Sequence, residues 1–158
     1  MKTLIVYSTA TGTVKKCAEM LAEKLPDAEL ADLKERIPDP SGYDTVIVGG
    51  SIRGGGLSPK TAAYLENCES ILLGKRLGLF ICCASDHKAG AMFEGNVSPA
   101  LMEHAAVCMS FGGELDPARA RGVDRFMLKI MAKGIQKDGG EICIYPERIA
   151  EFAERIGG

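Results

Sequence analysis

Ser8, Thr9, Thr11 and Thr13 crowd into one short stretch, YSTATGTV, directly after an apolar run and directly before a helical pattern. Four hydroxyls in a strand-to-helix turn suit the capture of an anion. The start of the helix offers backbone N–H groups and the positive end of its dipole, and hydroxyls complete a cradle without adding charge. Gly12 lets the backbone come close to the ligand, and Ala10, like Gly12, is a position between hydroxyls without a polar side chain. The turn therefore predicts a phosphate held by Ser8, Thr9, Ala10, Thr11, Gly12 and Thr13. The plainer alternative is a helix cap, but a cap needs one hydroxyl and this loop has four. Neither G-x-x-x-x-G-K-[ST] nor G-x-G-x-x-G follows this strand, so the nucleoside-triphosphate and dinucleotide loops lose their support.

Two further clusters follow in the right order to meet the first. VGGSIRGGG at 48–56 offers Ser51, Ile52, Arg53 and Gly54 after the third strand pattern. Ala84, Ser85, Asp86, His87 and Lys88 follow the fourth. Taken alone, the glycines read as a flexible turn. A phosphatase of similar layout would need a Cys-x5-Arg loop at the end of the first strand; counted from Cys82 and Cys83 that spacing reaches Lys88 and Ala89, at the wrong strand. The six cysteines form no C-x-x-C and have no histidine at zinc spacing, so no metal site is expected. Four of them sit inside apolar stretches, where a free thiol behaves as a small hydrophobe, which suits a reducing compartment, with a Cys82–Cys83 redox couple as the alternative to strand-end packing. Of the two histidines, His104 reads as an ordinary helix residue and His87 as the one near a site.

The elements that must position these groups alternate along the chain. Strand patterns lie at 3–7, 28–33, 44–50, 77–83 and 107–111, the best of them continuously apolar, as strands buried on both faces of a parallel sheet should be. Helical patterns lie at 14–25, 59–69, 98–105 and 146–156, three of them opened by Pro59, Pro99 and Pro146. The link 34–43, with Pro38 and Pro40, is too broken for a long helix. This alternation predicts a doubly wound α/β fold with a five-stranded parallel sheet in a single domain, 1–158. A short strand pattern at 141–145 and the double glycines 112–113 and 139–140 predict a fifth strand interrupted by an insertion at about 113–140, with its own helix near 118–136. A net charge of −2 gives no pull towards nucleic acid, and no apolar run reaches the length of a membrane span. With no signal-peptide pattern at the N-terminus, a cytoplasmic protein is expected.

IVYSTATGTVKKCAEML, with Tyr7, Thr9, Thr11, Gly12 and Ala18 in place, resembles the FMN phosphate loop of the flavodoxins. The resemblance implies the flavodoxin-like strand order 2-1-3-4-5, FMN as cofactor, and the two later loops on either side of its ring. Ala10 and Val14 depart from the usual hydroxyls, which predicts a phosphate held more weakly by about 1 kcal/mol for each. The Ser51-Ile52-Arg53 stretch and FGG…DRFMLKIM are similar to the flavodoxin-type, menaquinone-dependent protoporphyrinogen oxidase branch. That implies electron transfer, or a dehydrogenase passing electrons to a quinone. Arg53, with Lys88, is expected to stabilise the reduced flavin anion. A flavin-free interaction domain is the remaining alternative, resting on Ala10 and Val14.

Arg121, Arg125, Lys129, Lys133 and Lys137 recur every four residues, one stripe of the expected inserted helix. The plain reading is a solvated face. The functional one is a landing site for a redox partner protein, a quinone or porphyrin-type acceptor with its carboxylates, or an anionic membrane surface.

Overall fold

Five parallel strands build the core: β1 (Thr3–Tyr7), β2 (Ala28–Asp32), β3 (Thr45–Arg53), β5 (Arg76–Cys82) and β6 (Val107–Ser110), while β4 (Gly56–Leu57) is a short hairpin partner of β3. They lie in the order β2-β1-β3-β5-β6, with β4 pairing antiparallel to β3. The computed structural model describes residues 2–9, 12–84, 86–113, 129–130, 133 and 143–157. Counted alone, the parallel strands run 2-1-3-4-5, as the sequence predicts.

Helices cover both faces: α1 (Thr13–Glu23), α2 (Pro59–Asn67), α3 (Glu69–Leu72), α4 (Ala89–Asn96), α5 (Pro99–His104) and α6 (Pro146–Gly157). On α1 the residues Val14, Cys17, Ala18 and Leu21 are buried, and on α6 Ile149, Phe152, Ala153 and Ile156. Both sets repeat at i, i+3, i+4, i+7, one helical stripe. They pack with Ile5, Ile47, Phe80 and Phe111 into one apolar layer. Leu4, Val6, Val46 and Val48 turn to the other face, where Tyr64, Leu72, Phe93 and Leu101 of α2 to α5 meet them. Each large side chain so buried contributes about 1.5–3 kcal/mol.

Two elements differ from the sequence reading. Strand β3 runs to Arg53 because Ile52 and Arg53 pair with Leu57 and Gly56, so Ser51-Ile52-Arg53 is strand and not loop. Residues 89–96 form α4, whose glycines 90 and 95 and weak apolar patterning hide it in the sequence. The expected inserted helix and its stripe at Arg121, Arg125 and Lys137 lie outside the described residues, whereas Lys129 and Lys133 are helical and exposed. Before that segment the chain leaves through Gly112; it is met again at Cys143, where Ile144 bridges Gly112 in antiparallel fashion. Among the described residues no helix is long and apolar enough to cross a membrane.

Candidate functional site

Strand order reverses at β1 and β3, where Tyr7 lies beside Gly49. The chain leaves β1 for α1 on one face and β3 for α2 on the other, which opens a crevice at the carboxyl ends of the strands. The hydroxyl loop and the hairpin 51–57 both arrive there.

Gly12 forms the N-cap of α1 with φ of 94°, has no side chain with which to cap the helix, and is followed by no acidic residue in the first turn. The helix start therefore keeps its positive character, with its first N–H groups lacking intrahelical partners. Thr9 Oγ1 accepts the Gly12 N–H at 2.9 Å, which closes the loop while leaving the Thr9 hydroxyl a proton to donate. Thr13 is buried at the first helical position. Ala10 and Thr11 lie outside the described residues.

Ser8 behaves differently from its neighbours. Ser58 Oγ donates to Thr61 Oγ1 at 3.0 Å, and Thr61 Oγ1 donates to the Gly49 carbonyl at 3.1 Å. Ser8 Oγ sits 2.7 Å from Ser58 Oγ and 2.9 Å from Thr61 Oγ1. The Ser8 hydroxyl thus belongs to a cluster of three hydroxyls and also lines the cleft beside the loop. It ties β1, β3 and the start of α2 together under the loop.

The hairpin after β3 turns on Gly54 and Gly55, with φ of 58° and 81°. Two consecutive positive φ values make the tight turn that matches strand twist, and glycine adopts them without strain. Ser51 points to the same side of the sheet as Ile47, towards α1, by the alternation of side chains along a strand. Its Oγ is buried and has no hydrogen-bond partner among the described residues. Such an orphan costs about 1–3 kcal/mol unless a ligand satisfies it. Ile52 is half-buried against the α2 layer, and Arg53 and Gly54 are exposed.

The third loop is held from the far side of the molecule. Arg148 Nη1 donates to Asp86 Oδ1 at 2.7 Å and to the Ser110 carbonyl at 3.1 Å, and its guanidinium lies 4.0 Å over the Tyr145 ring. The bond to Asp86 raises the Arg148 pKa further, fixing it as a cation. Ala84 is half-buried, His87 and Lys88 are exposed, and Ser85 lies outside the described residues. Beside the clamp is a cleft of about 400 Å³ lined by Asp86, Phe93, Cys108, Met109, Arg148 and Glu151. Burial pushes the Cys108 thiol up to about 11. A second cleft, also about 400 Å³, adjoins the hydroxyl loop and is lined by Ser8, Thr9, Lys34, Ser58, Pro59 and Lys60.

A family model described as Flavodoxin domain matches residues 4–140. The chain belongs to the flavodoxin domain family. The Escherichia coli (strain K12) protein named protoporphyrinogen IX dehydrogenase [quinone] is similar to it at 28% identity, over 99% of this chain and 94% of that one. Among solved structures, the Streptococcus pneumoniae TIGR4 flavodoxin superposes with a TM-score of 0.61 at 16% identity, covering 99% of this chain and 98% of that one. A Fusobacterium nucleatum flavodoxin mutant bound to flavin mononucleotide gives 0.59 at 13% identity, covering 99% and 95%. At these identities the structural likeness concerns the fold.

This flavodoxin domain brings the opening loop and the Ser51–Gly54 stretch to one crevice, with Asp86 and His87 on the next strand's loop. Four contributors are not legible in its sequence as site residues. Lys34 and Lys60 line the cleft beside the loop, Arg148 clamps Asp86, and Asn96 bonds the hairpin. The pattern around Lys34 is a broken link and that around Lys60 a helix start, so neither carries a signal. Arg148, in the first turn of an amphipathic helix, is indistinguishable from surface charge.

Proposed function

We propose that this chain binds FMN at the β1–β3 crevice and acts as an electron-transfer flavoprotein. The observation that carries the reading is the buried Ser51 Oγ, which has no hydrogen-bond partner among the described residues and lies on the side of the sheet that α1 covers. The donor set fits a phosphate. Thr9 retains a hydroxyl proton, the α1 N-terminus offers its dipole, and Lys34 and Lys60 add positive charge at the adjoining cleft. Thr11 and Thr13 complete the hydroxyl set in the proposal, and Ala10 contributes backbone only. When bound, FMN accepts and donates one or two electrons. Ser51, Ile52, Arg53 and Gly54 would line one side of its ring, and Ala84, Ser85, Asp86 and His87 the other, excluding water and orienting it. Arg53 and Lys88 would place positive charge near its edge. A cytoplasmic setting, with a redox partner meeting Lys129, Lys133 and the rest of the basic stripe, belongs to the same reading.

A second, narrower reading is favoured by the full-length similarity to the Escherichia coli dehydrogenase: electrons taken from a porphyrinogen and passed to a quinone. Purified protein titrated with FMN tests the first reading. Stoichiometric uptake with a bound-flavin visible band is expected, and no uptake overturns it in favour of a flavin-free interaction domain. Quinone-dependent oxidation of protoporphyrinogen by the loaded protein then decides the second.

A further inference from the structure

Asn96, the last residue of α4, makes three hydrogen bonds that use both hydrogens and the oxygen of its amide. Nδ2 donates to the Gly55 carbonyl at 2.9 Å and to the Met92 carbonyl at 2.9 Å, and Oδ1 accepts the Leu57 N–H at 3.0 Å. The partners are Gly55 in the hairpin tip and Leu57 on the return strand, about forty residues away in sequence. No other side chain supplies this pattern at this length: Asp lacks the donors, and Gln reaches one carbon further.

The hairpin needs such a hold. It consists of two cross-strand pairs, Ile52–Leu57 and Arg53–Gly56, and residues 53–56 are exposed. A two-stranded ribbon of this size is at best marginal in water by itself. Helix α4, in contrast, is anchored by Phe93, 5% exposed in the core, and begins directly after the 86–88 turn.

We propose that Asn96 is a positioning residue that fixes the tip and return strand of the hairpin to α4 and, through their pairing, the Ser51–Arg53 arm, so that the two walls of the flavin crevice are set as one body. The flavin part of this inference rests on the FMN reading above. The brace itself rests on the three bonds.

The test uses trypsin on the FMN-free full chain. Cleavage after Arg53 requires the hairpin to open, and it follows the open population when opening is fast. Asn96→Ala is expected to raise cleavage after Arg53 about tenfold, with cleavage after Lys24, in the turn after α1, unchanged. The FMN dissociation constant is expected to rise by a similar factor. Equal cleavage after Arg53 in both proteins overturns the brace. Equal acceleration after Lys24 overturns it too, because it marks general destabilisation. Faster cleavage after Arg53 with unchanged FMN affinity overturns the positioning role. A parent chain that takes up no FMN overturns the flavin reading instead, and the cleavage pattern still decides the brace.

Discussion

Arg148 Nη1 and Asp86 Oδ1 lie 2.7 Å apart, and that contact ties the first turn of α6 to the loop after β5. The same guanidinium nitrogen reaches the Ser110 carbonyl at 3.1 Å on the edge strand. One side chain thus joins a proposed flavin wall, the sheet edge and the last helix. Asp86 is the more buried partner, its side chain 14% exposed against 34% for Arg148.

Removing either partner of this clamp leaves the other poorly satisfied. Arg148→Met is expected to lower stability by about 1–2 kcal/mol in urea denaturation, as a partly buried, charge-assisted bond should. Asp86→Asn should cost a similar amount, and the double variant little more than either alone. Strictly additive losses would show that the two side chains are not coupled.

Ser51→Ala should act with opposite sign on stability and on binding. In the FMN-free protein it removes a buried hydroxyl without a partner, so the midpoint of urea unfolding is expected to stay or rise. In FMN titrations it removes the proposed hydrogen-bond partner of the flavin, and affinity is expected to fall about five- to tenfold, roughly 1 kcal/mol. A loss of stability without a loss of affinity would contradict the assignment.

Alkaline pH should loosen the fold through Cys108. Burial raises its pKa from 9.0 to about 11, with Arg155 pulling weakly the other way. Between those two values the unfolded chain has released the proton that the folded one retains. Stability is therefore full below pH 9 and falls as pH rises towards 11. Burial raises Cys68 and Tyr64 in the same direction, which adds to the slope. Cys108→Ala should flatten the curve of unfolding midpoint against pH in that range without abolishing it.

Gly113 has backbone where a side chain would go. A Cβ there would meet Ala84 N at 2.7 Å and the Cys83 carbonyl carbon at 2.8 Å. Neither atom can turn aside as a flexible side chain would, so Gly113→Ala must push the start of the third loop. A loss of about 1–3 kcal/mol is expected in urea denaturation, together with weaker FMN binding.

Arg53→Ala addresses the electrostatics of the proposed cofactor. Loss of a positive charge beside the ring should lower the midpoint potential of the loaded protein, on the order of 30 mV for a tenfold shift in a two-electron equilibrium. Spectroelectrochemical titration reads this directly. An unchanged potential would remove Arg53 from the proposed ring environment.

Much of this architecture is legible without any coordinates. Uninterrupted apolar runs such as Leu4–Tyr7 announce strands covered on both faces, and the Pro59, Pro99 and Pro146 starts mark three helices. What escapes depends on distant partners. Ser51 looks like loop because only its pairing with Cys82 of β5, and that of Ile52 and Arg53 with Leu57 and Gly56, reveal the longer strand. Ser8 looks like a fourth donor for a phosphate, and only the neighbouring Ser58 and Thr61, some fifty residues on, show its hydroxyl bound into a cluster that ties β1 to the start of α2. Asn96 sits in a glycine-bearing helix with no apolar stripe, and its meaning lies wholly in two backbone groups of the hairpin.

The order in which the chain is made bears on how the α1–α6 layer closes. Phe152 of α6 meets the Phe111 ring edge-on at 5.4 Å and the Phe80 ring at 6.2 Å, while its neighbours Ile149 and Ile156 are likewise fully enclosed. Synthesis lays down β1 and α1 early, yet the part of that side's cover that α6 supplies arrives only with residues 146–157. Until then the ribosome carries a nearly finished sheet with an oily flank, the state in which nascent chains are most at risk of sticking to one another. A truncation or a bulky fusion that disturbs α6 should therefore show itself first as poor yield and inclusion bodies, well before any loss in the properties of the crevice.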